Sequence, residues 1–252
     1  MQAAGGILSV TGEPGRTGVR VGVSIIDQGT GTWAALGILA ALAERGQTGE
    51  GRVVDVALFE TAIALLAYQL TGFLASGELP GRWGTGFASI APYRVYATSD
   101  GELMIAAAND RLFAAFVEAV ELPELVDDPR FATNAERVRH RDELDALLEV
   151  PLARRSTGVW LERLGRTGVP AAPVQNAGQV VMHEQTQASG ILQQLPAGLT
   201  TVAFPLLMDG ERVLHRSPAP RLGEHTAEVL EEAGYSSAEV EELVAAGIVR
   251  LG

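Results

Sequence analysis

Residues 24–37 read SIIDQGTGTWAALG, an acid set between an apolar β-branched run and a glycine-rich stretch. Asp27 is the side chain that raises the question of covalent chemistry, although on position alone a structural acid at a helix start is the modestly favoured reading. The preceding run, GVRVGVSII (18–26), reads as a buried strand, and the C-terminal edge of a parallel strand is where α/β proteins place their ligands. Helix N–H groups just beyond it would keep a carboxylate ionised and nucleophilic. The same position also suits a plain structural acid that satisfies orphan N–H groups at a helix start. A third reading takes Gly29-Thr30-Gly31-Thr32-Trp33-Ala34 as the G-x-G-x-x-A dinucleotide pattern, with Asp55 as the ribose-binding acid. Against it, Asp55 lies in the middle of RVVDVALFE and not at its end, and a short glycine motif is a weak signal in a chain this rich in alanine and glycine.

What the chain lacks restricts the chemistry to carboxylates, hydroxyls and backbone N–H groups. There is no cysteine, which excludes disulfides, thiolate nucleophiles and Cys-based metal centres within these residues. There is no lysine either; all 19 basic residues are arginine, so Schiff-base chemistry and a P-loop are excluded. His140, His183, His215 and His225 show no metal-binding spacing, and no metal site is expected. Ser24 does not fit a nucleophile elbow. A net charge of -12 disfavours nucleic acid, and the densest basic cluster, RVRHR (137–141), reads as a solvated helix face. Gly84 and Gly86 in GRWGTG read equally well as a flexible linker or a ligand loop. Glu13, Asp55 and Glu60 read as structural or solvated, and His225 as part of a helix start.

The elements that must hold these residues follow from pattern. WAALGILAALAER (33–45), with Thr30 or Thr32 available as N-cap, reads as a helix apolar nearly all round and therefore buried on most sides. RVVDVALFE (52–60) reads as a second strand and 61–75 as a second helix, which together suggest a βαβ unit with a parallel sheet. Residues 76–92 form a glycine-rich linker. YRVYATSDGELMIAAA reads as a hairpin turning at Asp100-Gly101. Helices are expected around 110–121, 134–149 and 157–165, the last capped by Ser156 or Thr157. TVAFPLLMDGERVLHR (201–216) holds a second Asp-Gly hairpin, and two helices close the chain at 226–233 and 237–246. No uninterrupted apolar run reaches about 18 residues, so no transmembrane helix is expected. The first residues do not read as a signal peptide, and cytoplasm is the default.

GVSIIDQGTGTWAALGILAALAERGQTGEGRVVDVALFETAIALL closely resembles the region around the catalytic aspartate of the class III coenzyme A transferases. That family includes formyl-CoA and carnitine-CoA transferases and shares its fold with α-methylacyl-CoA racemase. The resemblance continues in order through APYRVYATSDGELMIAAANDRLF, VDDPRFATNAERVRHRDEL, LERLGRTGVPAAPVQN and LGEHTAEVLEEAGYSSAEVEELVAAGIV, nearly the whole chain. It implies an α/β fold: the C-terminal part of a Rossmann-like large domain with an inserted smaller α+β domain. The implied bounds are 1–75 for the large-domain part carrying Asp27, 76–92 for the linker, 93–195 for the small domain and 196–252 for a segment returning to the large domain.

The resemblance also implies that Asp27 attacks an acyl-CoA thioester, passes through an anhydride and an aspartyl-CoA thioester, and hands CoA to a small carboxylate. CoA is then a substrate, and no permanently bound cofactor is implied. Backbone N–H groups around Gly29 and Gly31 would stabilise charge at the carbonyl, and Gly84, Gly86 and Asn109 would contact the CoA substrate. Asn109 and Asp110 stand where the racemases carry a glutamate, which is closer to the transferase pattern. α-Methylacyl-CoA racemase remains an alternative, as does a catalytically silent fragment that only oligomerises or binds CoA. Family chains carry an N-terminal half before the first residue matched here. The implied partner is therefore a second copy in an interlocked homodimer, or a separate N-terminal half. No nucleic acid and no membrane is implied.

Overall fold

The computed structural model describes residues 1–215 and 217–252, so the far end of the expected hairpin at 201–216 lies outside the described residues. Two compact units, Met1–Val174 and Gln175–Gly252, are described in turn. The fold is mixed α/β, with helices around small antiparallel sheets.

The first unit opens with four helices: α1 (Ile7–Val10), α2 (Ile25–Thr48), α3 (Leu58–Leu65) and α4 (Ala67–Ser76). The strands expected at 18–26 and 52–60 are not formed. A strand exists through its ladder, and among the described residues neither run has a strand to bond with. Val21 is held instead by a side chain: its N–H donates to Gln2 Oε1 at 2.9 Å and its carbonyl accepts from Gln2 Nε2 at 3.2 Å. Val53 stands 88% exposed. Because the parallel βαβ unit is absent, Asp27 sits in the first turn of a helix and not at a strand end.

Helix α2 also begins earlier than its glycines suggest. Two glycines cost an isolated helix about 1 kcal/mol each, but tertiary contacts offset that here. Ile26 is buried with Ile7, Ala62 and Leu66, and Thr30 Oγ1 lies 2.7 Å from Ile26 O and 2.9 Å from Thr61 Oγ1. A Cβ on Gly29 would come within 3.1 Å of Thr61 Cγ2, so glycine lets α2 and α3 approach. The N-cap is Ser24, without a side-chain cap bond, and not Thr30 or Thr32. Only Ile26 of α2 is buried. The expectation of a helix buried on most sides is corrected: Trp33, Leu36, Ile38, Leu39 and Leu42 are each more than half exposed. Beyond its first turns the described residues give it few neighbours, Val54 against Gly37 and Arg52 paired with Glu44. By length and composition α2 could cross a bilayer, which corrects the reading that no segment could. The single helix expected at 61–75 begins at Leu58 and breaks near Leu66 with a bend of 68°.

The larger core of this unit lies further along the chain. β1 (Tyr93–Ala97) and β2 (Glu102–Ala106) form the expected hairpin, in register Tyr93↔Ala106 through Ala97↔Glu102. They are followed by α5 (Asp110–Ala119), a 3₁₀ turn (Pro123–Val126), α6 (Asn134–Arg139), α7 (Arg141–Leu152), α8 (Thr157–Thr167) and β3 (Ala171–Pro173), which pairs antiparallel with β2. Spacings of three and four bring Phe113, Phe116 and Val117 of α5, Leu144 and Leu148 of α7, and Trp160 and Leu164 of α8 against Tyr96, Leu103 and Ile105. Ser156 caps α8, accepting from Val159 N at 3.4 Å.

RVRHR is not a solvated face. Arg137 is fully buried; its guanidinium donates to Ala91 O (2.8 Å), Phe131 O (2.9 Å) and Asp110 Oδ1 (2.7 Å), and lies 4.3 Å over the Phe113 ring. Burial of a charge this well bonded is tolerated because each guanidinium nitrogen finds an oxygen.

The second unit contains α9 (Ala177–Met182), α10 (Glu184–Ser189), the antiparallel pair β4 (Leu192–Gln194) and β5 (Thr200–Val202), and the short pair β6 (Leu207–Met208) and β7 (Glu211–Arg212). Asp209 (φ 52°) and Gly210 (φ 83°) turn β6 into β7, as the Asp-Gly dipeptide predicts. α11 (Thr226–Glu232) and α12 (Ser237–Ala245) close it. A capping box at Ser236 and Glu239 starts α12, whereas His225 stands at the N-cap of α11 without a side-chain bond.

Candidate active site

Asp27 is exposed at the third position of α2. The helical ladder begins at Gln28, whose N–H donates to Ser24 O at 3.0 Å, so Asp27 stands at the positive end of the helix dipole. Beyond that point the ladder takes up the N–H groups, those of Gly29 and Gly31 included. Because these glycines lie in helix and not in a turn, their N–H groups do not point at a ligand, which corrects the expected oxyanion role.

A cavity of about 370 Å³ opens beside Asp27, walled by Met1, Ala3, Leu8 and Ile26, with Gln2 and Arg20 as its other polar members. The segment carrying Arg20 is pinned there by the Gln2 clamp on Val21 and by Gly18, where a Cβ would strike Leu8 O at 2.1 Å. Among the described residues, neither Asp27 nor Arg20 enters an ion pair. Sequence reasoning missed Arg20. The signal was available, since GVRVGV places one cation among apolar residues seven positions before the acid.

Gly84 and Gly86 lie elsewhere, lining a cavity of about 500 Å³ with Tyr68, Gln69, Phe73 and Trp83. Gly84 has φ +57° and donates to Gly12 O at 2.9 Å, and a Cβ there would come within 2.6 Å of the Glu13 carboxylate. Gly86 N–H donates to Trp83 O at 2.7 Å, closing a tight turn. The loop is tied down and is no free linker. Arg141 Nη2 donates to Phe87 O (2.8 Å) and Ala88 O (2.9 Å), its guanidinium lies 5.0 Å over Trp83, and Asn134 Nδ2 donates to Ser89 O at 2.8 Å. Phe87 stacks between Tyr68 and Tyr93 at 6.4 and 5.5 Å.

Asn109 lines neither cavity. It is the N-cap of α5, with Oδ1 accepting from Leu112 N at 2.9 Å. The structure therefore brings the two loop glycines together but does not bring Asp27, the loop and Asn109 into one cavity. Among the described residues no three His, Asp or Glu side chains converge where a metal ion could sit. A buried polar cluster lies in the larger core, where Asp145 accepts from Arg94 Nη1 at 2.8 Å and from Tyr96 Oη at 2.6 Å. Burial first, then the Asp145 charge, pushes the Tyr96 hydroxyl well above its ordinary pKa.

Residues 1–226 match CoA-transferase family III. The chain belongs to that family. It is 37% identical over 253 residues to an acyl-CoA transferase of Fusarium pseudograminearum, covering 98% of this chain and 56% of that one. It is 32% identical over 252 residues to the succinyl-CoA:glutarate CoA-transferase of Mus musculus, covering 98% and 58%. The crystal structure of a CAIB/BAIF family protein from Brucella suis superposes with a TM-score of 0.79 at 37% identity, covering 92% of this chain and 61% of that one. The family III chain thus spans a little under two thirds of the length of these relatives.

Proposed function

We propose that this family III chain carries the nucleophile of a CoA-transferase, and that Asp27 is that nucleophile. The observation that carries the reading is an exposed carboxylate, outside any ion pair among the described residues, at a helix start beside a cavity, in a chain of this family. The Asp27 carboxylate attacks the thioester carbonyl of an acyl-CoA; the C–S bond breaks and CoA leaves as thiolate. The thiolate then attacks the Asp27 carbonyl of the mixed anhydride, releasing the donor's carboxylate and leaving an aspartyl-CoA thioester. An acceptor carboxylate repeats the exchange in reverse and carries CoA away. No water and no redox step is needed, and each acyl bond stays activated.

Residues 1–75 belong in this reading to a Rossmann-like large domain, and 93–195 to the small domain. Gly84 and Gly86 contribute to CoA binding through their cavity. Asn109 acts by starting α5, while Gly29 lets α2 lie close to Thr61 of α3. The exposed apolar residues of α2 support a protein partner, either a second copy in an interlocked dimer or a separate N-terminal half, in the cytoplasm and not in a membrane. The mouse relative's name supports a succinyl donor and a dicarboxylate acceptor.

The test is to incubate the chain with a panel of acyl-CoA thioesters, with and without a polypeptide corresponding to the relatives' N-terminal portion, and quench with hydroxylamine. A hydroxamate mapped to Asp27 and absent from Asp27→Ala is expected. No hydroxamate in either mixture, together with deuterium wash-in at the substrate α-carbon, would move the assignment to a racemase.

A further inference from the structure

The cavity beside Asp27 holds one charged group that the acyl exchange does not use. Arg20 is the sole cationic side chain among its lining residues, and among the described residues no carboxylate lies within ion-pair distance of it. Arg94, Arg130, Arg137 and Arg155, by contrast, each hold a carboxylate of this chain. Gln2 does not compete for a ligand, since its carbonyl and amide are both engaged with the Val21 main chain. The rest of the wall near these two charges is apolar, Leu8 and Ile26 included. A small cavity with a carboxylate nucleophile, a free guanidinium and apolar sides is complementary to a short ligand that carries an acyl carbon at one end and an oxyanion at the other.

We propose that Arg20 anchors the distal, non-reacting carboxylate of a dicarboxylic substrate whose other carboxyl carbon reacts at Asp27. The inference rests on the reading of Asp27 as nucleophile. A guanidinium presents a planar fork of donors that matches a carboxylate in two parallel hydrogen bonds, which fixes orientation as well as charge. It also offsets the repulsion that an anionic substrate meets on approaching an anionic nucleophile in a chain of net charge -12. Arg20 is a positioning residue for specificity: it selects dicarboxylates over monocarboxylates and leaves the covalent steps alone. A phosphate of CoA is the competing source of an oxyanion.

The experiment titrates ¹³C-glutarate, ¹³C-butyrate and adenosine 3′,5′-bisphosphate into the wild-type chain, Arg20→Gln and Arg20→Lys, and follows binding by NMR. Glutarate is expected to bind saturably to wild type, about tenfold or more weakly to Arg20→Gln, and with intermediate affinity to Arg20→Lys, while butyrate is indifferent to the substitution. Equal glutarate affinity in wild type and Arg20→Gln overturns the proposal, as does no saturable glutarate binding to wild type. Loss of adenosine bisphosphate binding with glutarate unchanged overturns it in favour of a phosphate contact. Asp27→Ala separates the two readings. Arg20-dependent glutarate binding that persists while hydroxylamine traps nothing on wild-type Asp27 refutes the nucleophile and keeps the anchor; a trapped Asp27 with glutarate binding independent of Arg20 does the reverse.

Discussion

Replacing Arg137 by Met should lower the stability of the Tyr96–Val169 core by about 2–6 kcal/mol. The side chain is fully buried and divides its donors among Ala91 O, Phe131 O and Asp110 Oδ1. Methionine fills most of the volume and removes the cost of burying a charge, which taken alone favours the variant. The two carbonyls decide the sign, because a backbone oxygen cannot be replaced by an apolar group, and each one orphaned in the interior costs about 1–3 kcal/mol. Loss of the guanidinium from the Phe113 ring at 4.3 Å adds to this. The ion pair contributes little, since Asp110 is 62% exposed. Asp110→Ala should therefore cost no more than about 1 kcal/mol. Urea unfolding followed by the fluorescence of buried Trp160 measures both variants. A cost for Arg137→Met within 1 kcal/mol of zero, or an Asp110→Ala cost equal to it, would refute the carbonyl argument.

Gly84→Ala should destabilise the loop by about 1–2 kcal/mol, because residue 84 sits at φ +57° against the Glu13 carboxylate. Gly46→Ala, in open space within α2, should not destabilise, and thermal unfolding of the pair checks the contrast. Asp100 accepts from Thr157 N at 2.7 Å and from the hydroxyls of Thr157 and Thr98, and these bonds, the main-chain one first, hold its carboxyl below the ordinary value. A lowered folded-state pKa means stability that is full above the unfolded value near 4 and is lost as pH falls through the folded value. The gap in melting temperature between wild type and Asp100→Ala should thus be constant from pH 7 to 5 and close as pH drops towards 2. A gap that stays constant to pH 2 would refute the assignment.

The sequence was most legible where its instructions are local. Asp100-Gly101 and Asp209-Gly210 announced their hairpins, Ser156 announced α8, and the apolar spacings of α5, α7 and α8 announced the larger core. It misled where structure depends on a distant neighbour. GVRVGVSII and RVVDVALFE have strand composition, yet without a ladder partner they remain irregular and the helices take over at Ile25 and Leu58. The glycine-rich stretch at 29–31 did not read as helix because the contacts of Gly29 and Thr30 that favour it are made to Thr61, far along the chain. RVRHR read as surface because nothing near Arg137 in sequence reveals the carbonyl of Ala91. Asp27 stood out by residue type, but its place at a strand end was not what formed, since it lies in the first turn of α2. Arg20 did not stand out, because an arginine in a strand-like run reads as an outward-facing residue until the Gln2 clamp brings its segment beside α1.

The two cores of the first unit differ greatly in size: Ile7, Ile26, Ala62 and Leu66 hold the helix of Asp27, while the other draws on both hairpin strands and three long helices. Such unequal cores open independently, so amide hydrogens of α2 should exchange through local opening long before those of α5 and α8. Order around Asp27 is then open to mass action. Whatever covers the exposed side of α2 adds to its protection as the logarithm of its own concentration over its dissociation constant. If the proposed partner covers α2, the order of the helix that carries Asp27 becomes a property of an equilibrium between molecules, and dilution alone should erode it while the hairpin core stays folded.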